Sequence, residues 1–134
     1  MSNFDWLNYD ESPIFKQGIA IVRRYGKFGA VMVGGKEIVP PIYDDLSEFK
    51  DGFAVAKWNN EERVVNLSGQ VRVFKDNKEI FLPEEYDWGF DFIEDICVVV
   101  KDDKYGIIDF NFNVKQDCEY DSFTSYHNGY AIFS

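Results

Sequence analysis

The chain has few of the residues that build disulfide, metal and catalytic sites. It contains two cysteines and one histidine in 134 residues, which excludes a disulfide-rich framework. The sequence leaves open whether Cys97 and Cys118 pair. His127 has no serine or cysteine partner at a catalytic spacing. We therefore predict no enzyme activity, no catalytic residue, no metal and no cofactor.

Long apolar runs and helical periodicity are also missing. No stretch approaches the ~18 apolar residues of a membrane helix. Residues 1–13 carry three acids, no base and no apolar core, unlike a signal peptide. These features predict a cytoplasmic chain with no membrane partner. No window holds a 3.6-residue period, which predicts an all-β fold with almost no helix.

Positive charge is in short supply. Lysine and arginine number 14 against 24 acids, giving a formal net charge of −10. This charge argues against nucleic acid and favours a basic protein partner, because like charges repel. The distribution is uneven: residues 12–36 hold five bases and no acid, whereas residues 84–103 hold eight acids and one base.

What the sequence has in plenty is internal repetition. Three positions, Gly29, Tyr43-Asp44 and Gly52, recur 77 residues later as Gly106, Tyr120-Asp121 and Gly129, and a middle copy holds Tyr86-Asp87. Such a period indicates stacked supersecondary units. We expect a single domain over residues 1–134, with three imperfect β-hairpin repeats of 34–43 residues in a solenoid-like or barrel-like array. The expected units are 15–48, 49–91 and 92–125, with a closing strand at 129–134 that caps the array.

Each unit is predicted to hold one strand, then a hairpin. The first strands are continuous apolar runs, typical of strands covered on both faces: Ile19–Val22, Phe53–Ala56, Ile96–Val100 and Tyr130–Phe133. A small residue stands at one register position in each and is expected to be buried: Ala20, Ala54, Cys97 and Ala131. The second strands are Ala30–Val33, Val64–Leu67 and Ile107–Phe110. The middle unit is nine residues longer, which predicts an extra hairpin from Val71–Phe74 and Glu79–Leu82.

These residues resemble the WG-repeat, or KWG-repeat, family. Its unit runs roughly Lys-Trp-Gly-Tyr-Ile-Asp, a Gly-Lys turn, Ile-Val-Ile-Pro-Pro, Tyr-Asp, then Phe, Gly and an Ala-x-Val strand. The best matches here are Lys104–Asp109 and Gly35–Asp45. The chain resembles a degenerate member, since Phe28, Glu62 and Tyr105 replace the tryptophan and Arg63 replaces the middle glycine. The resemblance implies a β-repeat fold. The family has no established common activity, so the resemblance implies little about function.

Two ligand-loop motifs fail on inspection. Gly35-Lys36 leads into a strand rather than the helix that a phosphate loop needs. Asp109-x-Asn111-x-Asn113 has the start of a calcium loop, but Val114 and Tyr120 stand where such a loop needs glycine and a bidentate acid.

The Tyr-Asp pairs are interpreted as folding residues, with a packed ring and a carboxylate bonded to turn N–H groups. Residues specific to one unit are better binding candidates, including Trp6 and Trp58. An exposed aromatic among acids would anchor a basic partner. The alternative for Trp88 is a place in the core. The partner-binding candidates lie in the acidic stretch and the extra hairpin: Glu84, Glu85, Asp87, Trp88, Phe90, Asp91, Glu94, Asp95, Phe74, Lys75, Asp76 and Asn77.

These features predict a non-enzymatic protein-binding module. The expected form is a monomeric, acidic inhibitor or immunity-type protein, of bacterial or phage origin, that masks a basic surface of its partner. The alternative is a carbohydrate or cell-wall binding module that uses aromatic platforms.

Overall fold

The structure is a computed structural model that describes residues 9–121, 123–127 and 130–133, with side chains described for residues 9–121. These residues hold strands and turns and no helix, so the all-β prediction is confirmed. None of the described residues forms a helix that could span a membrane. The strands are β1 (Ile19–Arg24), β2 (Lys27–Met32), β3 (Glu37–Tyr43), β4 (Asp45–Leu46), β5 (Phe53–Trp58), β6 (Glu61–Asn66), β7 (Arg72–Lys75), β8 (Lys78–Phe81), β9 (Trp88–Gly89), β10 (Ile96–Lys101), β11 (Lys104–Asp109), β12 (Val114–Tyr120), β13 (Phe123–His127) and β14 (Tyr130–Phe133).

The chain divides into two compact units, Met1–Gly69 and Gln70–Ser134. Among the described residues, the first unit holds two antiparallel sheets, in the orders β1-β2-β3 and β4-β5-β6. Those of the second unit form three, in the orders β7-β8, β12-β11-β10-β9 and β13-β14. The single domain expected over residues 1–134 stays a prediction, as does the capping role of the closing strand, β14.

Strand positions agree with the sequence for the first strand of each repeat and for the extra hairpin, β7-β8. The second strands begin three residues earlier than predicted, at Lys27, Glu61 and Lys104. The reason lies in two-residue turns that the sequence reading missed. Their central residues have positive φ: Tyr25 and Gly26, Asn59 and Asn60, Asp102 and Asp103. Such turns let the following strand pair at once.

Burial follows the predicted register only in part. Ala20, Ala54 and Cys97 are at most 3% exposed, as predicted, whereas the side chain of Ala131 lies outside the described residues. Both cysteines are free thiols. Coverage of the first strands on both faces holds for β10 and is wrong for β5, whose Phe53 and Val55 are more than 40% exposed. β5 alternates between buried and exposed positions, as a strand with one solvated face does.

Glycine is required at two places where the backbone of the neighbouring strand comes too close for a side chain. A Cβ added at Gly29 would lie 2.5 Å from the Val39 carbonyl oxygen and 2.7 Å from the Pro41 nitrogen. At the equivalent Gly106, it would lie 2.6 Å from the Gln116 oxygen. At both places the β2–β3 and β11–β12 ladders shift register. In the middle repeat Arg63 stands at this position, on β6, which is an edge strand of its sheet and pairs with β5.

Each unit has its own apolar cluster. In the first unit Phe15 packs against four buried residues, Tyr9, Ala20, Val22 and Val31. In the second unit the cluster joins the extra hairpin to β10 and β11: Val73, Leu82, Tyr86, Phe92, Cys97, Val99 and Ile108. Leu82 occupies the space beside Gly89, where a Cβ would overlap its side chain. Two residues of the inserted segment, Val73 and Leu82, are therefore part of the core of the second unit.

Candidate partner-binding surface

Three aspartates each cap the tight turn of the hairpin that follows them in the chain. The carboxylate accepts a hydrogen bond from the first turn residue: Asp10 from the Tyr25 N–H at 3.1 Å, Asp44 from Asn59 at 2.9 Å and Asp87 from Asp102 at 3.0 Å. The tyrosines that precede them are at most 6% exposed. The interpretation of the Tyr-Asp pairs as folding residues is confirmed for 43-44 and 86-87. The sequence reading missed Tyr9-Asp10, although it lies 34 residues before Tyr43-Asp44.

The same cap has opposite electrostatics in the two units. In the first unit the ammonium of Lys27 hydrogen-bonds Asp44, which lowers the pKa of that carboxyl, and the Asn59 N–H adds to the effect. In the second unit burial raises the pKa of Asp87. The bond from the Asp102 N–H opposes this rise, while the charges of Asp102 and Asp103 add to it. Asp87 therefore lies in a local field of like charge.

This cap gathers acids from two separate segments. Asp87 follows Glu84 and Glu85, and it holds the turn that carries Asp102 and Asp103. The effect of the charges extends to neighbours: burial raises the pKa of Tyr86 to about 12 with a contribution from Glu85. Burial also raises the pKa of Tyr105, with a contribution from Asp103. We name these residues the acidic end: Glu84, Glu85, Asp87, Asp102 and Asp103.

The acidic end is open to solvent and weakly compensated. Glu84, Glu85, Asp102 and Asp103 are exposed. Within residues 9–121, no salt bridge reaches any of these four carboxylates. Two lysines flank the Asp102-Asp103 turn: Lys101 lowers the pKa of Asp87, and Lys104 hydrogen-bonds Asp121. The acidic end is therefore a surface of concentrated negative charge on the second unit.

The remaining acids of the stretch lie at the other end of β10. Glu94 and Asp95 precede the strand, and its six residues span roughly 20 Å at ~3.3 Å per residue. Asp95 pairs with Lys75 at 3.4 Å, beside the turn that holds Asp76 and Asn77. A stretch that is continuous in sequence is thus divided between two ends of one strand.

Several candidates have structural roles. Trp88 is 0% exposed, so the core alternative is correct and its role as an exposed anchor is wrong. The Asp91 carboxylate accepts a hydrogen bond from the Phe74 N–H at 3.0 Å, which ties the extra hairpin to the sheet. The half-buried Phe90 ring stacks on Tyr105 with centroids 6.5 Å apart, and the half-buried Phe74 ring lies 5.0 Å from the Arg72 guanidinium. Trp6 lies outside the described residues.

Two further features bear on ligand binding. The first unit contains an open cleft of about 1010 Å³, with apolar walls that include Ile14, Ile21 and Leu67 and with both acids and lysines on its lining. No group of three or more histidine, cysteine or acidic side chains in the described part of the chain could hold a metal ion. Asp109 instead bonds the N–H groups of Asn111 and Asn113 within its own turn.

Comparison with known proteins identifies the repeats. The family model described as "WG containing repeat" matches three consecutive segments, residues 34–61, 75–105 and 105–134. No curated protein matches the chain, and no solved structure matches it either. The matched segments cover more than half of the chain. The chain belongs to the WG-repeat family.

Proposed function

We propose that the chain is a non-enzymatic protein-binding module whose acidic end docks against a basic surface of a partner protein. The observation that carries the proposal is the gathering of five acids from residues 84–87 and 102–103 by the Asp87 cap. The cap is part of the fold, so the backbone of the turn that carries Asp102 and Asp103 is fixed before binding. Preorganised groups lose less conformational entropy when a complex forms.

The main effect of such a surface is on association. Charge complementarity steers encounter and raises on-rates by about 10–1,000-fold, and salt screens the effect within about 8–10 Å. Charges on the rim of an interface add little affinity on their own. Glu84 and Glu85 therefore guide and orient the partner, and uncharged contacts beside them contribute the remaining affinity.

An inhibitor or immunity-type role is the finer form of the proposal. A row of carboxylates presents negative charge to a cationic surface much as a row of phosphates does. A partner whose basic surface is covered in this way can no longer engage an anionic ligand. The proposal therefore commits to a basic partner whose active surface is masked.

The test compares two variants with the same change in net charge. The site variant neutralises four residues of the acidic end: Glu84→Gln, Glu85→Gln, Asp102→Asn and Asp103→Asn. The control neutralises four exposed acids of the first unit: Asp45→Asn, Asp51→Asn, Glu61→Gln and Glu62→Gln. The amides keep the size of the carboxylates, and asparagine tolerates the positive φ of Asp102, Asp103 and Asp51.

The readout is the association rate with a lysine 20-mer, measured at low and at high salt. We expect the site variant to associate at least about tenfold more slowly at low salt and the control less than about threefold more slowly, with the difference vanishing at high salt. Equal slowing in both variants would show that net charge alone governs binding. That result would contradict the proposal.

A further inference from the structure

Tyr25 has a conformation and an exposure that folding does not explain. Its φ is 51°, a region that bulky side chains rarely adopt. Its side chain is 91% exposed. Phe112, another aromatic residue with positive φ, is 40% exposed and so keeps most of its surface covered. Strain of this kind at an exposed residue points to a role in binding.

The equivalent turns show what folding alone requires here. Asn59 and Asp102 occupy the same turn position with φ of 49° and 53°, and both residue types tolerate this region. The cap acts through the backbone, since Asp10 accepts from the N–H groups of Tyr25 and Gly26. An asparagine at position 25 would keep these bonds and lower the strain.

A shared carboxylate fixes the turn of Tyr25 beside the next turn of the same unit. Asp44 bonds both the Lys27 ammonium and the Asn59 N–H. Trp58 is partly exposed and precedes two exposed asparagines, Asn59 and Asn60. Neither asparagine side chain has a hydrogen-bond partner within residues 9–121. We name Tyr25, Trp58, Asn59 and Asn60 the aromatic end of the first unit.

The basic side chains near this end are paired with acids, which leaves little net attraction for an anion. Arg23 pairs with Glu11 at 2.7 Å, Arg24 pairs with Glu37 at 3.0 Å and Lys27 pairs with Asp44. The exposed acids that follow, Glu61 and Glu62, repel anions and accept hydrogen bonds from hydroxyl groups. What remains for recognition is two aromatic side chains together with amides that both donate and accept.

We propose that the aromatic end binds a neutral oligosaccharide. The apolar C–H face of a pyranose ring packs on the Tyr25 ring, and its equatorial hydroxyl groups bond the amides of Asn59 and Asn60. The turns are fixed by the Asp10 and Asp44 caps, so little ordering is needed on binding. This site lies in the first unit and does not depend on the acidic end of the second.

The experiment titrates the intact chain with three hexasaccharides: β-1,4-linked glucose, β-1,4-linked N-acetylglucosamine and α-1,4-linked glucose. We expect at least one to bind with a dissociation constant below about 1 mM. Amide chemical shifts should change at Tyr25, Asn59 and Asn60, and the affinity should be insensitive to salt. Tyr25→Phe should keep most of the affinity because it keeps the ring.

Tyr25→Asn should weaken binding at least about tenfold without lowering the melting temperature, because it removes the ring and relieves the strain. Gln17→Asn is the matched control, with φ of 53° in the same unit and beyond the opposite end of β1, and should bind like the unchanged chain. Three results would overturn the proposal: no binding of any hexasaccharide at about 10 mM, unchanged affinity in Tyr25→Asn, or a lowered melting temperature in that variant. If Tyr25→Asn instead lost only a host protein partner, the surface would belong to a protein.

Discussion

The two compact units cap their tight turns in the same way but differ in the side chains that surround the cap. In each, a Tyr-Asp aspartate accepts a hydrogen bond from the first residue of a tight turn. In the first unit Lys27 balances the Asp44 charge, and the turns carry aromatic and amide side chains. In the second unit Asp87 is partly buried among further acids. The cap therefore belongs to the scaffold, while the residues around it set the binding chemistry.

The position held by Asp45 in the first unit and Trp88 in the second shows the difference most sharply. In the strand register Asp45 lies opposite Lys57, and Trp88 lies opposite Val100 at the equivalent place. Asp45 is exposed, whereas Trp88 is 0% exposed. One register position is therefore polar surface in the first unit and core in the second.

The largest expected effect comes from that position. Trp88→Ala should lower the free energy of unfolding by about 3–5 kcal/mol, because it leaves a large cavity in a packed core. Asp45→Ala should change it by less than about 0.5 kcal/mol. Urea denaturation of both variants measures the difference. A Trp88→Ala variant as stable as the unchanged chain would mean that Trp88 is not a core residue.

The next largest losses of stability are expected at the two glycines that lie against the backbone of the neighbouring strand. Gly29→Ala and Gly106→Ala should each cost about 1–3 kcal/mol, because the added Cβ meets backbone atoms that cannot move independently. The two losses should be similar, since the added Cβ would meet backbone atoms at similar distances in both places. Thermal unfolding of each variant checks this. An unchanged melting temperature for either variant would show that the neighbouring backbone is farther from that glycine than described.

Enlarging the buried small residue of β5 should lower stability by a similar amount. Ala54 is 3% exposed on β5, and Ala54→Leu should cost about 1–3 kcal/mol. Val55→Leu, one residue along on the exposed face, is the matched control and should be close to neutral. Denaturant melts that show equal effects for both would contradict the alternation of β5.

The smallest expected changes in stability come from the two capping aspartates, and they are opposite in sign. Asp44→Asn should lower stability at neutral pH by less than about 1 kcal/mol, because it removes an exposed ion pair with Lys27. Asp87→Asn should raise stability, because the neutral amide keeps the turn bond without burying a charge. Chemical denaturation as a function of pH measures both.

The pH dependence follows from the direction of each shift. The pKa of Asp44 is lowered in the folded chain, so its contribution is present above the unfolded pKa of ~3.9 and is lost as pH falls through the folded value. The pKa of Asp87 is raised, so ionising it weakens the fold as pH rises from ~3.9 through the folded value. Both variants should match the unchanged chain in acid. Changes of the same sign at neutral pH would contradict the comparison.

The repeats could be predicted because a glycine and a Tyr-Asp pair recur at a fixed spacing in the sequence. The sequence predicted the first strands and the extra hairpin because β-branched and aromatic runs were bounded by turn residues. It missed the tight turns at Tyr25, Asn59 and Asp102, because only one of them contains glycine. It also grouped residues 84–103 as one acidic surface. The six residues of β10 separate those acids, and only pairing between strands shows which ones meet.

The central claim is that a basic partner binds at the acidic end of the second unit and not at exposed acids elsewhere. The most direct measurement is amide chemical-shift mapping of the chain during titration with a lysine 20-mer at low salt. The account predicts changes at residues 84–87 and 101–104, with little change at residues 93–96 or at residues 59–62. Changes of equal size at all exposed acids would show a diffuse response to net charge and would contradict the account.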